Sequence, residues 1–359
     1  MFVGSNKVIS MMSSQCQRAA FVDEGASASE CSAGMSKAAR RLARRLAESA
    51  AAFHIEKVKE ELMVPISEEA GTVRLIIERS FSPANPHVFA LAVRHKGKMV
   101  DIVFARNRRM AKGCACIISL DKNDFEKKQA ARGSGYVGKL RCSASGQFFT
   151  LYDNGFNGTK DRVELTHGSQ HQQARCEYAS VMYFEYASVL RDQRMMVAVP
   201  TISKGETRGD VWRPFHKKEG MSYHHRELAV HGPFSRLHEA MMCFNCVDDG
   251  EVDTKSDSQA SVKNFKLVMT RLEGTGYDAG YGSSDGRAAR DVILSLQKQD
   301  RRTFQIEVRH PLSVFQAFGI CLSRFHASNH VRARANRVWE RIIPSIFLSS
   351  SPRRAKYDA

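Results

Sequence analysis

The chain has 359 residues, of which 43% are hydrophobic, and carries a formal net charge of +16. This length suits one large all-β domain with flanking segments, because such domains run to about 250 residues. Nine cysteines without a framework spacing indicate reduced thiols and argue against a secreted disulfide scaffold. No apolar stretch reaches transmembrane length and no secretory signal pattern begins the chain, so we expect neither secretion nor a membrane span. The positive charge favours acidic lipid or nucleic acid as a partner.

The N-terminal region divides into two parts. Residues 1–35 are rich in Ser, Ala and Gly without periodicity, and we predict that they are disordered. Residues 36–63 are rich in helix formers and predict a basic amphipathic helix. Its apolar stripe consists of Leu42, Leu46, Ala50 and Phe53. Three interpretations stay open: the helix lies on the neighbouring domain, binds a protein partner, or lies on a membrane surface.

Alternating apolar residues predict β-strands in the region that follows. Residues 73–77 form the first strand, and residues 88–93 and 100–105 predict a hairpin around a turn at 96–98. A basic segment then precedes the strand predicted at 116–120. Its cations are Arg106, Arg108, Arg109 and Lys112. They are either solvated or add to the positive field of a neighbouring site.

The stretch from residue 136 to residue 155 predicts two short strands, the first of which carries two cations. Side chains alternate along a strand, so Lys139 and Arg141 share one face while Leu140 points toward the core. Such a pair can accept an anion with two phosphates, the Lys as a point charge and the Arg as a planar fork. The alternative is two solvated cations on a strand.

Residues 304–325 predict a strand followed by a buried helix. The strand alternates apolar and polar residues, and His310 and Pro311 end it. Pro311 suits the first position of a helix, and apolar residues cover nearly every side of the helix that follows. A run of about 14 residues is too short to span a bilayer, so we expect this helix inside the protein.

Three ordered motifs resemble those of the tubby C-terminal domain family. The first is G-K-L-R at 138–141 followed by F-T-x-Y-D-N-G at 149–155. The others are QASVKNF at 259–265 and FQIEVRHPLSVFQAFGICLSRF at 304–325. This resemblance implies a closed antiparallel β-barrel over residues 71–326, threaded by a hydrophobic C-terminal helix.

The resemblance also implies a phosphoinositide site built on four recurrent positions. Lys139 and Arg141 match two of them, and Arg175 matches a third through an R-x-E pattern followed by a strand. At the fourth, relatives have an Asn where this chain has Ala115, so we expect weaker or less selective headgroup binding. The further basic contacts expected around this site are Arg106, Arg108, Arg109, Lys112 and Arg194.

By resemblance, we expect a monomeric adaptor that binds phosphatidylinositol 4,5-bisphosphate in the cytosolic leaflet. A trafficking or cargo protein would bind helix 36–63, in the cytoplasm, at the plasma membrane, or in the cilium or nucleus. A nucleic-acid-binding regulator is the alternative, and a bilayer-perturbing barrel of the scramblase kind is a third interpretation. The basic extension at 327–359 either packs on the barrel or contacts a membrane or partner.

We predict no catalytic residue, cofactor or metal. Cys243 and Cys246 form a C-x-x-C motif near His224 and His225, but no second pair has the spacing of a zinc site. The chain also lacks a phosphate-binding glycine loop and a nucleophile elbow. We therefore expect a protein that is not an enzyme.

Overall fold

Twelve antiparallel strands form a closed barrel in the part of the chain that the structure describes. The structure is a computed structural model, and the residues it describes are 35–80, 88–109, 114–126, 133–155, 175–185, 193–202, 212–214, 217–231, 240–247, 259, 261, 263–269 and 292–327. The strands are β1 (Val73–Arg79), β2 (Val88–His95), β3 (Lys98–Arg109), β4 (Cys114–Ser119), β5 (Tyr136–Cys142), β6 (Phe148–Asp153), β7 (Glu177–Glu185), β8 (Gln193–Pro200), β9 (Met241–Val247), β10 (Phe265–Met269), β11 (Val292–Lys298) and β12 (Thr303–Val308). The predicted fold class is confirmed.

Each strand pairs with its neighbour in sequence, and β1 closes the barrel by pairing with β12. Residues at alternate positions, such as Leu140 and Leu151, are buried in the interior because strand pleat sends them to one side. The predicted hairpin forms between β2 and β3. Its turn residues Lys96 and Gly97 have φ values of 50° and 77°, as a two-residue turn of type I′ requires.

A helix over residues 314–327 lies inside the barrel, and every one of its residues is buried. It begins after Ser313 and not at Pro311, because Ser313 and Gln316 cap it reciprocally. The Gln316 N–H donates to Ser313 Oγ at 3.1 Å, and the Ser313 N–H donates to Gln316 Oε1 at 2.8 Å. Phe325 packs on Phe89 and Phe304 with ring centroids 5.0 and 4.8 Å apart. The predicted burial of this helix is confirmed.

The segment predicted as one helix over 36–63 forms two, α1 (Lys37–Ala51) and α2 (Ile55–Met63). Phe53 adopts a φ of 53° and ends α1, with the His54 N–H donating to the Ser49 carbonyl at 3.0 Å in a Schellman-type cap. This conformation turns Phe53 outward, 83% exposed, so its expected place in the apolar stripe is wrong.

Helix α1 packs against β1, β2 and β3. Its residues Ala39, Ala43, Leu46 and Ala47 belong to the same buried cluster as the barrel interior. Among the three interpretations of this segment, the structure shows the helix lying on the barrel. The segment predicted to be disordered and the basic C-terminal extension lie outside the described residues, apart from Met35 and Ala327.

Two further helices complete the described architecture. Helix α3 (Met221–His231), which the sequence did not predict, packs on the outside of β6, β7 and β8. The central helix at 314–327 is α4. Within the described part of the chain, no helix is long and apolar enough to cross a membrane.

We expect Gly138→Ala to destabilise the protein by about 2–3 kcal/mol, since overpacking a tight interior has costs of this order. A Cβ at residue 138 would overlap the Tyr152 carbonyl oxygen and lie 2.9 Å from Cζ of Phe315 on α4. Urea unfolding followed by circular dichroism measures this loss. Ala144→Ser, at an exposed position of the following turn, is the control. Equal midpoints for both variants would contradict the tight contacts of Gly138 with β6 and α4.

Candidate functional site

Lys139 and Arg141 lie on the outer face of β5. Leu140 between them is 2% exposed and belongs to the interior cluster, whereas Arg141 is exposed and Lys139 is half-buried. Strand pleat therefore separates the two cations from the apolar residue between them. The two side chains share one face, as the sequence indicated.

Cross-strand register brings further cations to the same face. Arg108 pairs with Ala115, and Ala115 pairs with Arg141. Two residues further along the strands, Arg106 pairs with Ile117, and Ile117 pairs with Lys139. Because directly opposed residues of antiparallel strands point to the same side, these residues form two parallel rows across β3, β4 and β5.

The two arginines of β3 differ in their surroundings. Arg106 is half-buried, and its Nη1 donates to the Phe125 carbonyl at 2.9 Å, so part of its donor capacity is already used. Arg108 is exposed. Between Arg108 and Arg141 lies Ala115, which offers no polar side chain. The position at which the family resemblance implies an Asn thus directly adjoins Arg141.

Arg175 reaches the same group of cations from the segment that leads into β7. Its guanidinium carbon lies 4.2 Å from the centroid of the Tyr152 ring, a cation–π contact. Tyr152 is 7% exposed and pairs directly with Lys139. The residue on which Arg175 stacks therefore lies one strand spacing, roughly 5 Å, from Lys139.

Asp153 holds the Arg175 backbone in this position. Its Oδ1 accepts the Gly155 N–H at 3.0 Å and the Cys176 N–H at 2.9 Å. The first bond forms the turn at the end of β6, and the second ties the residue after Arg175 to that turn. Aspartate in the Y-D-N-G motif thus has a positioning role that the sequence alone did not reveal.

Glu177 supports Tyr152 from the other side. It is 4% exposed, pairs with Tyr152 across β6 and β7, and accepts the backbone N–H of Met221 at the start of α3. Burial raises the pKa of the Glu177 carboxyl, while the Met221 N–H lowers it. Burial and the nearby Glu177 raise the pKa of Tyr152 to about 12. The Tyr152 ring therefore stays neutral and serves as a fixed platform for Arg175.

Three further basic residues were expected near this site: Arg109, Lys112 and Arg194. Arg109 is the last residue of β3 and pairs with Cys114, one residue beyond the Arg108 row. Lys112 lies outside the described residues. Arg194 lies on β8, where it pairs with Phe184 of β7. Strand β8 is three strands from β5, and Arg194 is about 13 Å along it from the residue level with Arg141. The structure does not bring Arg194 together with the other cations.

The C-x-x-C motif does not form a chelating pair. Cys243 belongs to the apolar cluster under α3, and Cys246 packs against the barrel interior, since residues three apart on β9 face opposite sides. Burial raises the pKa of Cys243 to about 12 and lowers that of His225 to about 4. Among the described residues, no group of three or more His, Cys, Asp or Glu could hold a metal ion.

Comparison with known proteins places this geometry in a family. The model described as the Tub family matches residues 62–327. The chain is 30% identical to Tubby-like F-box protein 6 of Arabidopsis thaliana over 62% of this chain and 57% of that protein. It is 26% identical to Tubby-related protein 3 of Mus musculus over 65% of this chain and 45% of that protein.

Tubby-related protein 1 of Homo sapiens is a third similar protein, 27% identical over 64% of this chain and 38% of that protein. The chain thus spans about half the length of the relatives it matches. The family match covers well over half of the chain, and the twelve-stranded barrel around a buried helix agrees with it. The chain belongs to the Tub family of tubby-like proteins.

Proposed function

We propose that this protein is a phosphoinositide-binding adaptor and not an enzyme. Its barrel would bind phosphatidylinositol 4,5-bisphosphate in the cytosolic leaflet of a membrane through Lys139, Arg141 and Arg175. The observation that carries the proposal is the convergence of these three cations on the outer face of β5 and β6, where Arg175 is fixed over Tyr152 beside Lys139.

The chemistry of these side chains suits two neighbouring phosphates. Each phosphate monoester carries a charge of about −1.5 to −2 near pH 7. Lys139 offers a compact ammonium, while Arg141 and Arg175 offer planar forks that bind phosphate in a bidentate manner. Because the Arg175 side chain already stacks on the Tyr152 ring, less of its side-chain entropy remains to be lost on binding.

The membrane-bound barrel would then present its helices to a trafficking or cargo protein. The exposed side of α1 carries Arg41 and Arg45, and it remains accessible because the opposite side is buried on the barrel. Consumption of the lipid would release the protein into the cytoplasm. On this proposal the protein acts at the cytosolic face of the plasma membrane, with the cilium and nucleus as further locations.

Co-sedimentation with liposomes tests the proposal. Wild-type protein should prefer liposomes with phosphatidylinositol 4,5-bisphosphate over phosphatidylserine liposomes of matched charge. The Lys139→Ala, Arg141→Ala double variant should lose at least tenfold in affinity for the bisphosphate lipid, since two charge-assisted contacts contribute about 1.5–3 kcal/mol each.

The matched control is Arg301→Ala, Arg302→Ala, which removes the same charge from exposed residues of the turn between β11 and β12. It should bind like the wild type. Equal binding to both lipids, unchanged in the Lys139 and Arg141 variant, would refute the site. Tighter binding of duplex DNA that competes with lipid would favour the alternative of a nucleic-acid-binding regulator.

Ala115→Asn should strengthen binding to the bisphosphate lipid about fivefold, because one added neutral hydrogen bond contributes about 1 kcal/mol. Ala115 directly adjoins Arg141, so an amide there can contact the same phosphate. Surface plasmon resonance on supported bilayers gives the Kd. Ala115→Val, which adds bulk without a hydrogen-bonding group, is the control, and an equal gain in both variants would contradict this explanation.

A further inference from the structure

A second group of cations lines a cleft between α1 and the end of the barrel that carries the β2–β3 hairpin. The cleft has a volume of about 440 Å³. This volume falls within the range of small-molecule sites. Its basic lining residues are Arg40, Arg44, Arg74, Arg94, His95 and Lys96.

The cleft has an excess of positive charge. None of its lining residues is Asp or Glu. The charge of Arg74 is compensated by Glu307, which does not line the cleft: Arg74 Nε lies 2.9 Å from Glu307 Oε1. Arg44 lies 3.9 Å from Glu48, but both side chains are more than half exposed, so this pair contributes little. Arg40, Arg94 and Lys96 have no acidic partner among the described residues.

Arg94 is the cation of the cleft that lies deepest in the barrel wall. Its Nε is buried and has no hydrogen-bond partner within the described part of the chain. An unsatisfied buried donor costs about 1–3 kcal/mol, and more when it is charged. Ile76 pairs with Ala92, and Arg74 and Arg94 lie two residues further toward the same end of these strands. The two guanidinium groups therefore flank one another at the cleft.

Three separate elements fix the cations around the cleft. Arg40 and Arg44 are one turn apart on α1, each next to a residue that is buried against the barrel. Arg94 lies in β2, and Lys96 lies in the tight turn where it and Gly97 have left-handed φ values. The cleft therefore forms only when the domain is folded, because no single segment carries all of its cations.

We propose that this cleft is a second anion-binding site, which takes the phosphate groups of a multiply phosphorylated ligand. Arginine forks from two sides suit phosphate oxygens, and among the described residues no acidic side chain competes for Arg40, Arg94 or Lys96. The cleft is distinct from the site around Lys139. It lies by the start of β3 at Lys98, whereas Arg108 is ten residues further on, roughly 33 Å along the strand. One headgroup cannot contact both sites.

The test uses the full chain carrying Lys139→Ala and Arg141→Ala, so that the site on β5 does not contribute. Isothermal titration calorimetry with inositol hexakisphosphate and with pyrophosphate then measures the phosphate binding that does not depend on Lys139 and Arg141. This background should bind one equivalent of inositol hexakisphosphate. Adding Arg40→Gln and Lys96→Asn should weaken both probes at least tenfold, and Asn keeps the left-handed turn conformation.

The matched control adds Arg41→Gln and Lys98→Gln to the same background. These substitutions remove equal charge from the same helix and the same hairpin at exposed residues that do not line the cleft. The control should stay within twofold of the background. Arg94→Met, checked for folding by circular dichroism, should also weaken binding at least tenfold. Absence of binding to the background, or an equal loss in the Arg40 and control variants, would overturn the proposal.

A liposome arm identifies the source of the phosphate. With Lys139 and Arg141 intact, Arg40→Gln with Lys96→Asn lowers binding to bisphosphate liposomes if the cleft takes a lipid headgroup. Unchanged liposome binding together with weakened calorimetric binding assigns the cleft to a soluble phosphate compound. Because the calorimetric arm lacks the β5 cations, its failure is separate from failure of the proposed lipid site.

Discussion

The burial of helix α4 inside the barrel is the constraint on which the rest of the structure depends. All of its residues from 314 to 327 are buried, and its aromatic residues contact distant strands: Phe315 meets Tyr178, and Phe325 meets Phe89 and Phe304. Each strand must therefore present apolar side chains inward to a helix that comes last in the domain. With the interior occupied, chemistry is left to the outer face and the ends of the barrel.

The candidate site follows from this division. Gly138 and Leu140 face α4 or the core, which sends Lys139 and Arg141 outward at a spacing that the sheet fixes. Arg175 is placed by its ring contact with Tyr152 and by the hydrogen bond that the next residue, Cys176, donates from its backbone N–H to Asp153. Phosphate recognition on such a face would require little rearrangement, because β5 sets the positions of Lys139 and Arg141 and the Tyr152 ring holds the Arg175 side chain.

Local patterns predicted those features that depend on one segment alone. Period-2 alternation placed Lys139 and Arg141 on one face, and an apolar surface on every side predicted the burial of α4. Contacts between distant segments were not accessible in this way. The sequence gives no sign that Arg175 lies over Tyr152, that Phe53 ends α1 in a left-handed conformation without glycine, or that α1 and the β2–β3 hairpin enclose a cationic cleft.

On the proposed function, the two cations of β5 and Arg175 together recognise neighbouring phosphates. A crystal structure of the protein with the soluble headgroup, glycerophosphoinositol 4,5-bisphosphate, tests it most directly. We expect both ring phosphates within hydrogen-bonding distance of Lys139, Arg141 and Arg175, with Arg175 still stacked on Tyr152. A headgroup bound elsewhere on the barrel, with these three side chains facing solvent, would contradict it.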